Sequence, residues 1–360
     1  MPVFAREFRV SAAASSLSLS LTTGLLAPAM IVAGALSESR GRKPMMVASL
    51  FASALLTLVS AFVTRWPVLL VIRALAGVAF AGLPAISMAY LAEEVHPTSI
   101  GLAMGLAIGG NGLGGMTGRL LTALITDLIS WRAAVGSIGV LGLIATAIFW
   151  RTLPASRNFQ PRPLRVPALA RSFAQQLRRG ELLILFGIGF LFMGGFVTSY
   201  NYITYHLLAA PYHLSQAKVG LIFVVYLVGI AASAWIGSLA DRAGRGRMIV
   251  AMFALMLGGV ALTTLRPLWL VVGGVAVITF GFFGGHSVAS SWVGLRARDA
   301  KVQASALYLF FYYMGSSIAG SIGGFFWDSG QWLGVAAFVA SMLLAGVALS
   351  SIGARRLSAA

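Results

Sequence analysis

The sequence predicts an all-α membrane protein built from two helix bundles, and three observations carry that prediction. Hydrophobic residues make up 59% of the 360 positions and charged residues only 10%. A soluble domain carries roughly 25% charge, and the mean hydropathy here is +0.90. The apolar runs repeatedly reach the about 20 residues that a spanning helix needs. Finally, one loop motif occurs twice, 203 residues apart (237 − 34).

Taken in order, eleven spans are expected, over residues 15–36, 44–64, 67–91, 100–126, 132–153, 181–207, 216–240, 248–266, 267–293, 302–327 and 333–354. Residues 1–14 carry Arg6, Glu7 and Arg9 and cannot span. Strands are disfavoured, because the apolar runs are too long and do not alternate. Most connections are shorter than ten residues, so no large extramembrane domain is expected. The exception is 154–180, with Pro154, Pro161, Pro163 and Pro167, six arginines and no acid. It reads as a basic cytoplasmic linker between an N-terminal bundle over 1–153 and a C-terminal bundle over 181–360.

The net charge is +17, with 26 basic and nine acidic residues. The basic residues sit in short segments between apolar runs. That placement favours topology and anionic lipid headgroups over nucleic acid. With the 37–43 loop inside, eighteen Arg and Lys fall on the cytoplasmic side and six outside. This bias puts the C-terminus in the cytoplasm. The absence of Cys excludes disulfide scaffolds and cysteine-ligated metals.

The repeated segment is Gly34-Ala-Leu36-Ser-Glu38-Ser-Arg-Gly41-Arg42-Lys43, matched by Gly237-Ser-Leu239-Ala-Asp241-Arg-Ala-Gly244-Arg245-Gly246. Residues 110–118 are echoed in 315–323, and 127–131 in 328–332. Two parallel homologous halves are a signature of rocking transporters. The doubled motif resembles that of the major facilitator superfamily. Arg73-Ala-Leu-Ala-Gly77 resembles that family's R-x-x-x-G signature. Gly101, Gly110, Gly114, Gly115 and Gly118 resemble the antiporter motif of its drug:proton antiporters, with Gly115 replacing Pro and Arg119 replacing a final Gly. The overall pattern is similar to bacterial arabinose-efflux-type permeases.

The resemblance implies a twelve-helix fold in which residues 15–36 are the second helix, so the first is expected to be absent. It further implies proton-coupled efflux of small molecules by alternating access in the inner membrane. The expected form is monomeric, without enzymatic activity, metal or cofactor beyond the proton gradient. A sugar or organic-anion exporter, an inactive fragment and a membrane-embedded enzyme are the rival readings.

Candidate residues follow from cost. Gly41 and Gly244 permit tight turns, while Glu38 and Asp241 can pair with arginines or a helix N-terminus and clasp the cytoplasmic side shut. Positive-inside anchoring is the plainer alternative. Arg73 and Arg119 lie within spans, where a charge needs pairing or hydration, with snorkelling as the rival. The resemblance gives Arg73 a role in proton coupling; Arg119 has no such warrant. All nine acids fall in loops or at helix ends. His286 titrates in an accessible range and lies on a helix that lines the family's cavity, although a packed histidine is the commoner case. Asn201 and Tyr205 share a helix face at i, i+4, against an interfacial aromatic belt. Tyr308, Tyr312 and Tyr313 are weaker candidates. The helix-5-like glycines allow close helix contact. Gly110 to Gly115 also fits G-x-G-x-x-G, but without a preceding strand it is no dinucleotide site. No Walker motif occurs.

Overall fold

The structure is a computed structural model. It describes residues 1–96, 100–161, 166–297 and 301–358, without the side chains of 85, 92, 100–102, 104, 105, 108, 109, 166, 168, 241, 301 and 354–358. The surroundings of Gly101 and the side chain of Asp241 therefore lie outside the described residues. So do Arg162, Arg165, Arg298 and Asp299, and the side chains of Lys301, Arg355 and Arg356.

Every expected span is occupied by helix. After the short α1 (Pro2–Phe8) come α2 (Ala12–Arg40), α3 (Arg42–Ser60), α4 (Trp66–Phe80), α5 (Gly82–Glu94), α6 (Ile100–Leu128) and α7 (Trp131–Thr152). Then follow α8 (Val166–Leu177), α9 (Gly180–Leu208), α10 (Gln216–Gly220), α11 (Tyr226–Ala243), α12 (Arg245–Thr263), α13 (Leu268–Arg296) and α14 (Lys301–Ser358). A 3-10 turn, Leu221–Val225, joins α10 to α11. Nine helices or helix pairs among the described residues are long and apolar enough to cross a membrane. The last of these covers 52 residues. It contains two spans, because Gln331 breaks α14 with φ 49° and ψ −142°. Counting both and adding the 29-residue α6 gives the eleven expected spans. At 1.5 Å per residue a 29-residue helix is about 43 Å long, enough to cross the hydrocarbon and reach both headgroup layers.

The chain divides into two compact units. The first is Leu21–Val166; the second joins Met1–Ser20 to Pro167–Ala360. The division falls inside α2, between Ser20 and Leu21.

In the first unit, α7 lies on α3 at Gly139 and Gly142, where a Cβ would press on Leu58 and Ala54 at 2.6 and 2.9 Å. Ser130 starts α7 by accepting the Ala133 N–H at 3.1 Å, the usual N-cap arrangement. In the second unit, Gly259 and Gly274 bring the backbones of α12 and α13 together. Phe192 stacks on Phe253 and Phe196 on Phe282, with centroids 3.8 and 3.9 Å apart.

The first nine residues of α2 are packed within the second unit despite their serines. Ser15, Ser16 and Ser18 return their hydroxyls to carbonyls three residues back, at 2.7–2.9 Å. This satisfies polar groups that burial would otherwise leave at a cost. Ser317 on α14 donates to the Ser20 carbonyl at 2.7 Å.

Candidate functional site

The two copies of the repeated motif fold alike. Gly41 is the single residue between α2 and α3, with φ 96°. Gly244 is the single residue between α11 and α12, with φ 93°. Positive φ at this value is open to Gly and strained for other residues, which explains why both copies carry Gly there. Gly34, Leu36, Gly237 and Leu239 are half-buried on the preceding helices.

Around the first turn, Arg42 is 8% exposed. Its guanidinium grips Glu93 with two bonds, Nε to Oε2 at 3.1 Å and Nη2 to Oε1 at 2.6 Å. Its Nη1 donates to Ser37 Oγ at 2.5 Å. This is the planar two-point match that Arg makes with a carboxylate. Lys43 Nζ donates to the Leu153 carbonyl, and Tyr90 OH donates to that of Pro154 at 2.9 Å. Beyond α7 the chain turns back. The Asn158 N–H donates to Glu94 Oε1 at 2.9 Å, and its amide donates to the Glu93 carbonyl at 3.0 Å. Phe159 lies under the Arg42 guanidinium, 5.5 Å from the ring centroid. The start of the basic linker is thus fastened to α3 and α5.

Glu38 is exposed and lines a polar cavity of about 160 Å³ with Arg42, Glu93, Asn158 and Gln160. The acid that Arg42 takes is Glu93, 51 residues away in sequence. Sequence reading did not select Glu93, because an acid at a helix end carries no local sign of its partner.

The second turn has a different arrangement. Arg245 is half-buried. The position that matches Glu93 at the repeat spacing is Arg296, so a cation stands where the first half has an acid. Arg296 approaches Glu181 Oε2 at 3.5 Å, and its carbonyl accepts from Arg179 Nη2 at 2.8 Å.

The R-x-x-x-G segment marks a helix crossing. Thr22 Oγ1 donates to the Arg73 carbonyl at 2.9 Å, and a Cβ on Gly77 would overlap the Thr22 carbonyl. Gly77 is therefore needed for α2 to lie against α4. Arg119 is exposed, with its Nη1 turned to the Gly115 carbonyl at 3.2 Å. Four of the α6 glycines have their surroundings described. A Cβ on Gly110, Gly114 or Gly118 meets nothing within 4 Å, and on Gly115 it meets only the Arg119 side chain.

The second unit holds the polar and aromatic candidates along the seam of α9, α13 and α14. His286 Nδ1 and Tyr308 OH are 2.9 Å apart, and Tyr312 lies against the imidazole at 4.6 Å between centroids. Tyr200 OH meets Thr279 Oγ1 at 2.7 Å. The shared face of Asn201 and Tyr205 is used unequally. Tyr205 OH meets Ser15 Oγ at 2.6 Å, whereas Asn201 Nδ2 is buried without a hydrogen-bond partner. Thr198 Oγ1 and Ser316 Oγ, also on this seam, are buried without partners too. Unsatisfied buried donors and acceptors are rare and call for an explanation; a ligand's polar groups supply one. Among the described residues no group of three or more His, Cys, Asp or Glu is placed to hold a metal ion. These side chains carry ring faces and hydrogen-bonding groups.

Comparison with known proteins agrees with this architecture. The family model described as Major Facilitator Superfamily matches residues 1–320. The chain is 50% identical over 355 residues to an uncharacterized MFS-type transporter, YybF, of Bacillus subtilis (strain 168), covering 99% of this chain and 88% of that protein. It is 45% identical over 359 residues to the inner membrane transport protein YnfM of Escherichia coli (strain K12), covering 100% of this chain and 86% of that one. Among solved structures, a mutant of the nucleoside transporter NupG superposes with a TM-score of 0.78 at 13% identity, covering 99% of this chain and 93% of that one. At that identity the likeness is one of fold.

Proposed function

The chain belongs to the major facilitator superfamily and is a multi-pass membrane transporter, and from that premise we propose that it exports small molecules in exchange for protons. The observation that carries the reading is the doubled turn. Gly41 and Gly244, 203 residues apart, give each half the same one-residue hinge between two spanning helices. Two like halves are what rocking about a central site requires. The proposed site is the α9–α13–α14 seam, where Asn201, Thr198 and Ser316 offer unsatisfied polar atoms and the His286 cluster offers ring faces. The resemblance to antiporters at α6 supports the export direction, and the basic loops support an inner-membrane location with the C-terminus inside.

The test uses inverted membrane vesicles from cells overproducing the chain, loaded with a pH-sensitive quenched dye. Adding a transported compound to energised vesicles releases protons and restores fluorescence. Screening of aromatic and hydroxylated compounds is expected to give such responses. They vanish with a protonophore and persist when ATP is depleted with the gradient maintained. Uptake that continues without any ion gradient overturns the antiport reading.

A further inference from the structure

A cavity of about 910 Å³ lies between α3 and α7 in the first unit. Its origin is visible in the packing. Gly139 and Gly142 let α7 press on Leu58 and Ala54. Toward the Arg42 end of α3 the same seam meets larger side chains and opens. The walls there are apolar, from Val47, Phe51, Leu143 and Trp150. Phe51 and Trp150 are 52% and 59% exposed, so the groove faces lipid in a membrane-spanning bundle. Thr146 in the wall is satisfied, donating to the Gly142 carbonyl at 2.7 Å.

The rim is of the opposite character. Arg40 and Lys43 stand on it, and among the described residues none that lines the cavity is acidic. Arg42 is already held by Glu93. Lys43 uses one donor on the Leu153 carbonyl and keeps two N–H groups. The Arg40 side chain is exposed and forms no hydrogen bond or ion pair among the described residues. The folded-back segment after α7 adds Ser156 to the wall, and its Oγ is buried with no hydrogen-bond partner. A long apolar trough thus ends in two cations and an unsatisfied hydroxyl, at the side where the charge bias places the cytoplasmic headgroups.

We propose that this groove is a binding site for an anionic phospholipid of the cytoplasmic leaflet. One acyl chain lies between α3 and α7, and the phosphate is held by Arg40, Lys43 and the Ser156 hydroxyl. Charge complementarity selects the anionic headgroup, because a zwitterionic one brings its own cation to a rim that already carries two. The cavity volume is within the range of sites that enclose small ligands. The bound lipid would brace the Gly41 turn, since Gly41 and Arg42 also line the cavity.

Native mass spectrometry of the detergent-purified full-length chain tests this, with phosphatidylglycerol and phosphatidylcholine of equal chain length offered in turn. The expected result is one retained phosphatidylglycerol at a lipid level where phosphatidylcholine is not retained. Arg40→Gln should weaken retention about fivefold to tenfold, the effect of one cation at a lipid surface. Ala147→Trp, at an exposed wall position, should fill the groove and abolish retention without disturbing the core. Arg247→Gln, an equal loss of charge on α12, should have no effect, and inorganic phosphate should fail to compete. Equal retention of phosphatidylcholine, equal loss in Arg247→Gln, retention unchanged by Ala147→Trp, or displacement by phosphate alone would each overturn the proposal.

Discussion

At Gly41 and at Gly244 the chain makes the same one-residue turn, with φ of 96° and 93°, yet the position paired with the first turn's Arg42 carries opposite charge in the two halves. In the first, buried Arg42 closes on Glu93 with two bonds. In the second, the place of Glu93 is taken by Arg296, which turns instead to Glu181 on α9 at 3.5 Å. A shared backbone therefore sets where the helices turn, while the charges at matching positions around it differ.

The largest test of that difference gives the first turn the charges of the second. Glu93→Arg sets two cations against each other around Arg42 and should cost about 3 kcal/mol, the scale for breaking a substantially buried pair. The reversed pair, Arg42→Glu with Glu93→Arg, should restore more than half of it in thermal unfolding of purified protein. No recovery would show that Arg42 matters through packing alone.

The backbone half of the comparison is tested next. Gly41→Ala and Gly244→Ala should each destabilise by about 1–2 kcal/mol, the cost of a side chain at left-handed φ. The two losses should agree, because Gly244 has open space at its Cβ and Gly41 meets only the Pro44 ring at 3.6 Å. Losses that differ by more than the larger estimate would mean the turns are not equivalent.

Arg296→Gln should cost less, under about 1 kcal/mol, because its ion pair is long and both partners are partly exposed. The smallest effect is expected from Glu38→Gln. Exposed Glu38 should tolerate the change within about 0.5 kcal/mol, so any fall in its transport rate reports gating and not folding. A stability loss equal to that of Glu93→Arg would reassign the clasp to Glu38.

The order of helices was readable because each span is a long apolar run bounded by charge or proline. The repeat was readable because Gly41 and Gly244 must be Gly. The pairing around Arg42 was not, since Glu93 is 51 positions away and Glu38, three residues before Gly41, is the nearer acid. The return of the linker start through Asn158 and Phe159 was hidden for the same reason, in a segment whose arginines and prolines suggest only solvation. The serines of α2 gave no sign that this stretch would pack on α14, because their back-bonding to the helix leaves no pattern in sequence. At α6 the glycine spacing was visible, but spacing alone does not say whether another helix meets it.

The proposed exchange of small molecules for protons requires the two halves to move about like turns. The absence of cysteine makes one measurement direct. Spin labels at Ser39→Cys and Arg242→Cys occupy equivalent exposed positions beside the two turns. Pulsed distance measurement in lipid nanodiscs is predicted to give two populations whose ratio shifts between acid and alkaline pH. A single distance, unchanged at every pH and in the presence of transported compound, would contradict alternating access by this chain.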